Sequence, residues 1–316
     1  MIKTWSNEWN NMSTYWFKTL IPALICNSLL PVSAANITEI SGKDCHAMID
    51  AGVMSSAAPV QCERLRQVQF DYIDFQGKQH NNGSIIVMDA VSPYVATIFE
   101  RLYELKFPIN KAQPIHHYQG NDNLSMADNN TSAFNYRPIA GKRSLSVHAY
   151  GLAIDINPKQ NPFVEFGEQG SASFKPVDGS KYANRMKFRY GKDERQGFAE
   201  DVITTFADNG FLYWGGFWNT PIDYQHFQVS RNMANLMSVM PADNASQFFD
   251  NYVQWYQSCK ASYPKAYTQH KVNDYVHYLE TKLNSESLSK TFNRSPKKVI
   301  AAIQQPLQTS TICVKD

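Results

Sequence analysis

Between Ser146 and Asn157 the chain reads Ser-Val-His-Ala-Tyr-Gly-Leu-Ala-Ile-Asp-Ile-Asn, a short apolar framework carrying one imidazole and one carboxylate. Its second half alternates as a strand does. Leu152, Ile154 and Ile156 are expected to point into a core while Ala153 and Asp155 face the other way. Gly151 permits a tight backbone path back from His148, and Ala153 leaves space beside the two polar side chains. Much later, Asp223-Tyr224-Gln225-His226-Phe227 supplies a second histidine with a carboxylate three residues before it. His148, Asp155 and His226 make a suitable three-ligand set for a catalytic zinc, with one coordination position left for water.

Two further residues complete this constellation. On a helical or turning backbone, the spacing brings Asp223 near such an ion without ligating it. From there it could take a proton from the water and deliver it to a leaving amine. Arg137 carries a fixed charge upstream, suited to binding a substrate carboxylate or to stabilising a developing oxyanion. Each feature alone is common by chance, and the combination carries the reading. His46, His80, His116, His117, His270 and His277 are read as ordinary surface or hydrogen-bonded histidines. The adjacent pair His116 and His117 would face opposite sides of a strand.

Composition supports a packed globular protein, with 43% hydrophobic and 13% aromatic residues. The net charge of +2 gives no electrostatic case for nucleic acid. Residues 1–35 read as a secretory signal, with an apolar run from Thr19 to Leu30 and small residues at Val32-Ser33-Ala34-Ala35. The run is short for a bilayer span, so no stable span is expected after cleavage and the protein is expected to be exported, periplasmic or secreted. Cys26 would leave with the signal. Cys45, Cys62, Cys259 and Cys313 then allow three disulfide pairings, of which the sequence-adjacent Cys45–Cys62 and Cys259–Cys313 are favoured.

Residues 36–83 are polar and turn-rich and read as an N-terminal extension. A strand is expected over Ser84–Asp89, then a helix capped by Ser92 with Pro93 at its first position and apolar residues from Val95 to Leu105. A second helix is expected over Phe198–Phe206, closed by Asn209-Gly210, and a short strand over Phe211–Trp214. Phe248, Phe249, Tyr252, Val253 and Tyr256 form one helical stripe, and Val272, Val276, Leu279 and Leu283 another. The domain plan is thus 84–239 for the metal-bearing domain and 240–316 for a helical extension.

Ser146, His148, Gly151, Ala153 and Asp155 match residue for residue the Ser-x-His-x-x-Gly-x-Ala-x-Asp signature of peptidase family M15. Trp214-Gly215-Gly216 with Asp223, His226 and Phe227 match its second signature. Over roughly 84–230 the chain resembles that family's VanY-like D-alanyl-D-alanine carboxypeptidases and its L-alanyl-D-glutamate endopeptidases. The resemblance implies one zinc on His148, Asp155 and His226, Asp223 as acid/base, and Arg137 as a substrate or transition-state contact. Ser146 and Trp214 would be supporting or cleft residues. Carboxypeptidase branches commonly carry Glu at the Asp223 position, so the aspartate looks more like the endopeptidase branch. The implied fold is α+β, a small antiparallel sheet with flanking helices around a zinc cleft (hedgehog/DD-peptidase-like). The implied substrate is a peptidoglycan stem peptide. The alternatives are a non-catalytic zinc-dependent cell-wall or protein binding module, and a secreted wall-degrading effector.

Overall fold

In the computed structural model of the protein, residues 34–306 and 309–316 are described. Cys26 and all of the export segment except Ala34 and Ala35 lie outside them. The first sheet is antiparallel, in the order β1 (Asn36–Glu39), β2 (Leu65–Ile73) and β3 (Gln79–Met88). The segment read as extension therefore holds two of its strands, and the 83/84 boundary falls inside β3. The strand expected at Ser84 begins five positions earlier, because β2 supplies a pairing partner for the polar residues from Gln79. The overlooked signal was the alternation of Val68, Phe70 and Tyr72, all buried, with polar neighbours. Gly83 lies opposite Phe70, and a Cβ there would meet that ring at 2.6 Å.

Helix Ser92–Glu104 packs on this sheet through buried Val95, Ile98, Phe99 and Leu102, with the Phe70 and Phe99 rings stacked at 3.8 Å. Ser92 is its first residue and not its cap. The hydroxyl donates back to the Asp89 carbonyl at 2.8 Å, and the turn Asp89–Val91 already leads into the helix.

Eight short strands follow: β4 (Lys111–Ala112), β5 (Asn130–Thr131), β6 (Ala153–Asp155), β7 (Phe163–Phe166), β8 (Ala172–Lys175), β9 (Tyr213–Trp214), β10 (Ile222–Asp223) and β11 (His226–Gln228). β4 and β5 pair in parallel. The others form two antiparallel sheets, β6-β11-β9 and β10-β7-β8. Every residue from Leu152 to Ile156 is buried, so β6 is covered on both faces and not on one as its alternation suggested. The helix expected around Phe206 is Ile203–Asp208, closed by Asn209 and by Gly210 at φ +89°.

The chain after β11 is helical. Phe248, Phe249, Tyr252, Val253 and Tyr256 are all buried on helix Ala242–Ser262. Each contributes about 1.5–3 kcal/mol relative to exposure. Val276 and Leu279 are buried on helix Tyr275–Leu283, while Val272 lies in the loop before it. Arg64 Nη1 donates to the Met240 carbonyl at 2.7 Å, and Tyr94 donates to Asp250 at 2.8 Å. The first bond joins the turn leading into β2 to the segment just before the long helix, and the second ties the long helix to the helix on the first sheet. The architecture is thus α+β, with small antiparallel sheets and a C-terminal helical region. Disulfides join Cys45 to Cys62 and Cys259 to Cys313, the favoured pairs. Their sequence separations are 17 and 54. Loop-closure entropy assigns about 3 and about 4 kcal/mol to them. Urea unfolding should accordingly show a lower midpoint in reductant, and Cys259→Ser/Cys313→Ser should lose more stability than Cys45→Ser/Cys62→Ser.

Candidate metal centre

His148 is placed by a tight helical turn, Val147–Tyr150, whose start is capped by Ser146: its hydroxyl oxygen accepts from the His148 N–H at 3.3 Å. Gly151 ends the turn at φ +67°, where a side chain is strained. Its carbonyl accepts from Met88 N–H at 2.9 Å, and a Cβ on Gly151 would sit 2.6 Å from that nitrogen. The chain can then pass directly against β3 and enter β6. Asp155 is held there on both sides. Its backbone exchanges hydrogen bonds with Ser132, at 2.8 and 3.0 Å, and its strand pairs with β11. His226 stands directly opposite Asp155 in that antiparallel register. Residues so paired share a face of the sheet, with Cβ atoms about 5 Å apart.

The three side chains converge. His226 Nδ1 lies 2.9 Å and His148 Nε2 lies 3.2 Å from the Asp155 carboxylate, and the two nitrogens are 3.1 Å apart. All three residues are at most 5% exposed. Their outer nitrogens are engaged: His148 Nδ1 with the Ala133 carbonyl at 2.6 Å, His226 Nε2 with Gln228 Oε1 at 2.8 Å. Oxygens of that kind only accept, so each outer nitrogen carries the proton and each inner one presents a lone pair. Two lone pairs and a carboxylate then face one point, an arrangement that a cation relieves. With protein groups alone, a proton on the inner nitrogen of His226, facing Asp155, takes the cation's place. Burial opposes charge on His226, yet the hydrogen bond and charge of Asp155 push it up to about 9. Burial would raise Asp155, but the His148 charge and the bonds from both histidines hold it far below the usual carboxylate range. The donor set can hold a metal ion, which would displace those protons.

Asp223 reaches this group through a turn. It closes β10, Tyr224 and Gln225 reverse the chain, and His226 opens β11. Burial pushes the Asp223 carboxyl up to about 6, aided by the Asp155 charge and opposed by the histidines. Its Oδ1 is sealed from solvent and has no hydrogen-bond partner among the described residues. The Trp-Gly-Gly signature forms the backing of this turn. Trp214 Nε1 donates to the Tyr224 carbonyl at 2.7 Å, and a Cβ on Gly215 would stand 2.4 Å from the Asp223 carbonyl oxygen. Trp214 is itself buried, opposite Phe227.

Arg137 forms an ion pair with Asp122 at 2.8 Å, with its Nε buried and unpartnered among the described residues. Its carbonyl accepts from Ser146 N–H at 2.9 Å, which links it to the turn that bears His148. His116 and His117 sit on a tight turn, Ile115–Tyr118, not on a strand. Their rings come within 4.5 Å, because Pro114 starts that turn and left-handed Gln119 ends it. Gln228 and the Ala133 carbonyl escaped the sequence reading. Gln228 was findable, since two residues along a strand from His226 is the same face.

The geometry makes two separable demands on metal binding. His148→Ala should abolish it, read by elemental analysis of the purified protein. Gln228→Ala should weaken affinity about 10- to 100-fold, read by titration in metal buffers. Unchanged affinity in Gln228→Ala would show that Gln228 does not orient the imidazole.

Residues 140–229 match a family model described as D-alanyl-D-alanine carboxypeptidase. The match begins after Arg137 and takes in both signatures. No curated protein and no solved structure shows a significant match to the chain. Residues 140–229 are therefore an M15 peptidase family domain, and His148, Asp155 and His226 are its candidate metal site.

Proposed function

We propose that the protein is a zinc peptidase that hydrolyses an amide bond in peptidoglycan stem peptides. The observation that carries this reading is the convergence of His148, Asp155 and His226 inside the matched domain, with a raised carboxyl at Asp223 beside them. Two imidazoles and one carboxylate suit zinc, whose chemistry in such sites is to lower the pKa of a water to about 7 and to polarise a carbonyl.

In this reading the protein's own groups divide the work. Asp223 takes the proton released by the attacking water and passes it to the leaving amine. A carboxyl pushed up to about 6 suits that exchange, because both its forms are accessible near neutral pH. Arg137 binds a substrate carboxylate or the developing oxyanion, exchanging Asp122 for it. Ser146 holds the His148 turn, and Trp214 holds the Asp223–His226 turn. The peptidase domain is assigned to about 84–239, sharing its first sheet with the strands β1 and β2 before it, with 240–316 as its helical extension and residues 1–35 as an export signal. Two disulfides support an exported protein, which would meet cell-wall peptide where it works. Among the described residues no helix is long and apolar enough to cross a membrane.

The test is mass spectrometry of defined muropeptides incubated with the zinc-loaded protein. Release of terminal D-alanine identifies a carboxypeptidase, and a cut after L-alanine an endopeptidase. No product from either would overturn the peptidase reading in favour of a binding module. Asp223→Ala should keep its zinc and lose hydrolysis by about 10²- to 10⁴-fold, and normal turnover in that variant would remove Asp223 from the acid/base role.

A further inference from the structure

A cavity of about 340 Å³ is walled in part by Met126, Ala127, Lys159, Phe174, Lys175 and Asp178. Two contacts connect its wall to the candidate centre. Met126 accepts a hydrogen bond from the buried Gln225, which immediately precedes His226, at 3.5 Å. Helix Asp122–Ala127, which contributes Met126 and Ala127, also carries Asp122, the partner of Arg137.

Sheet register fixes how Lys175 relates to Asp223. Asp223 pairs with Phe163, and Phe163 pairs with Lys175. The three side chains therefore share one face. Lys175 Nζ lies over the Phe163 ring, 5.5 Å from its centre. Two strand spacings separate the backbones of Lys175 and Asp223, about 10 Å. Among the described residues no carboxylate lies within ion-pair distance of Lys175. The second cation, Lys159, meets Asp178 only at 3.8 Å, and that aspartate is 68% exposed, a pair that contributes little. Asp128, the other carboxylate close enough to interact with Lys159, is already bonded to Lys111 and Tyr118.

A half-buried lysine with no ion-pair partner among the described residues, its ammonium over an aromatic ring and its side chain on the same sheet face as Asp223, is suited to an anion carried by the substrate. We propose that Lys175, with Lys159 beside it, binds a free carboxylate of the peptide substrate. An extended peptide advances about 3.3–3.6 Å per residue, which places that carboxylate within about three residues of the scissile bond. This rests on the peptidase reading and adds to it a preference for acidic peptides.

The test compares one stem peptide bearing a free carboxylate in that range with the same peptide amidated there. Lys175→Met, which keeps the apolar stem, should raise KM for the acidic peptide about tenfold and leave kcat nearly unchanged. It should leave the amidated peptide unaffected. Calorimetry on Asp223→Ala, with no turnover, should show tighter binding of the acidic peptide, and adding Lys175→Met should erase the difference. Equal losses on both peptides, or carboxylate selectivity surviving in Lys175→Met, would overturn the assignment. Hydrolysis of neither peptide by the unmodified protein would instead sink the peptidase reading, while the calorimetric comparison would still decide the carboxylate site.

Discussion

The pairing of His226 with Asp155 across β6 and β11 is the constraint on which the centre depends. Two residues 71 positions apart in sequence are set on one face by an antiparallel register, and a slip of one residue would turn every β11 side chain to the opposite face. Several independent contacts hold the register: the Ser132–Asp155 bridge on one side, β9 on the other, and the Phe206 ring stacked on Phe227 at 3.9 Å. His148 needs no sheet register of its own. It arrives on a turn whose end is fixed by Gly151 against β3.

Around that pairing the molecule fixes protons as carefully as it fixes atoms. The Ala133 carbonyl and Gln228 each accept from an outer imidazole nitrogen, so both rings present lone pairs inward. Asp223 is treated differently. Burial disfavours its charge, and the Trp214 indole and the close approach of Gly215 hold the turn that carries it. The imidazoles thus hold one carboxylate low while burial pushes its neighbour up, a separation that the proposed acid/base role of Asp223 would use.

Much of the centre was legible because its residue types and spacings are local. The Ser-x-His-x-x-Gly-x-Ala-x-Asp stretch contains its own cap, turn and strand, and the helical stripe from Phe248 to Tyr256 announces its buried face. The sheet built from residues 36–88 was not legible. β2 and the first half of β3 are polar on one side, and their strand character comes from pairing with each other and not from a strong apolar run. For Trp214 the sequence left a supporting and a cleft position open, and only the fold shows its indole donating to the Tyr224 carbonyl in the turn between Asp223 and His226.

The sequence by itself determined the candidate ligand types, the acid/base candidate beside them and the helical character of the tail, since each follows from residue chemistry or short-range spacing, whereas it left three disulfide pairings open. Only the tertiary structure decided which ring nitrogen faces inward, that Arg137 is held by Asp122, and that Lys175 lies in register with Asp223. Those facts depend on contacts between segments far apart in the chain, and such contacts are set by packing and strand pairing rather than by local preference.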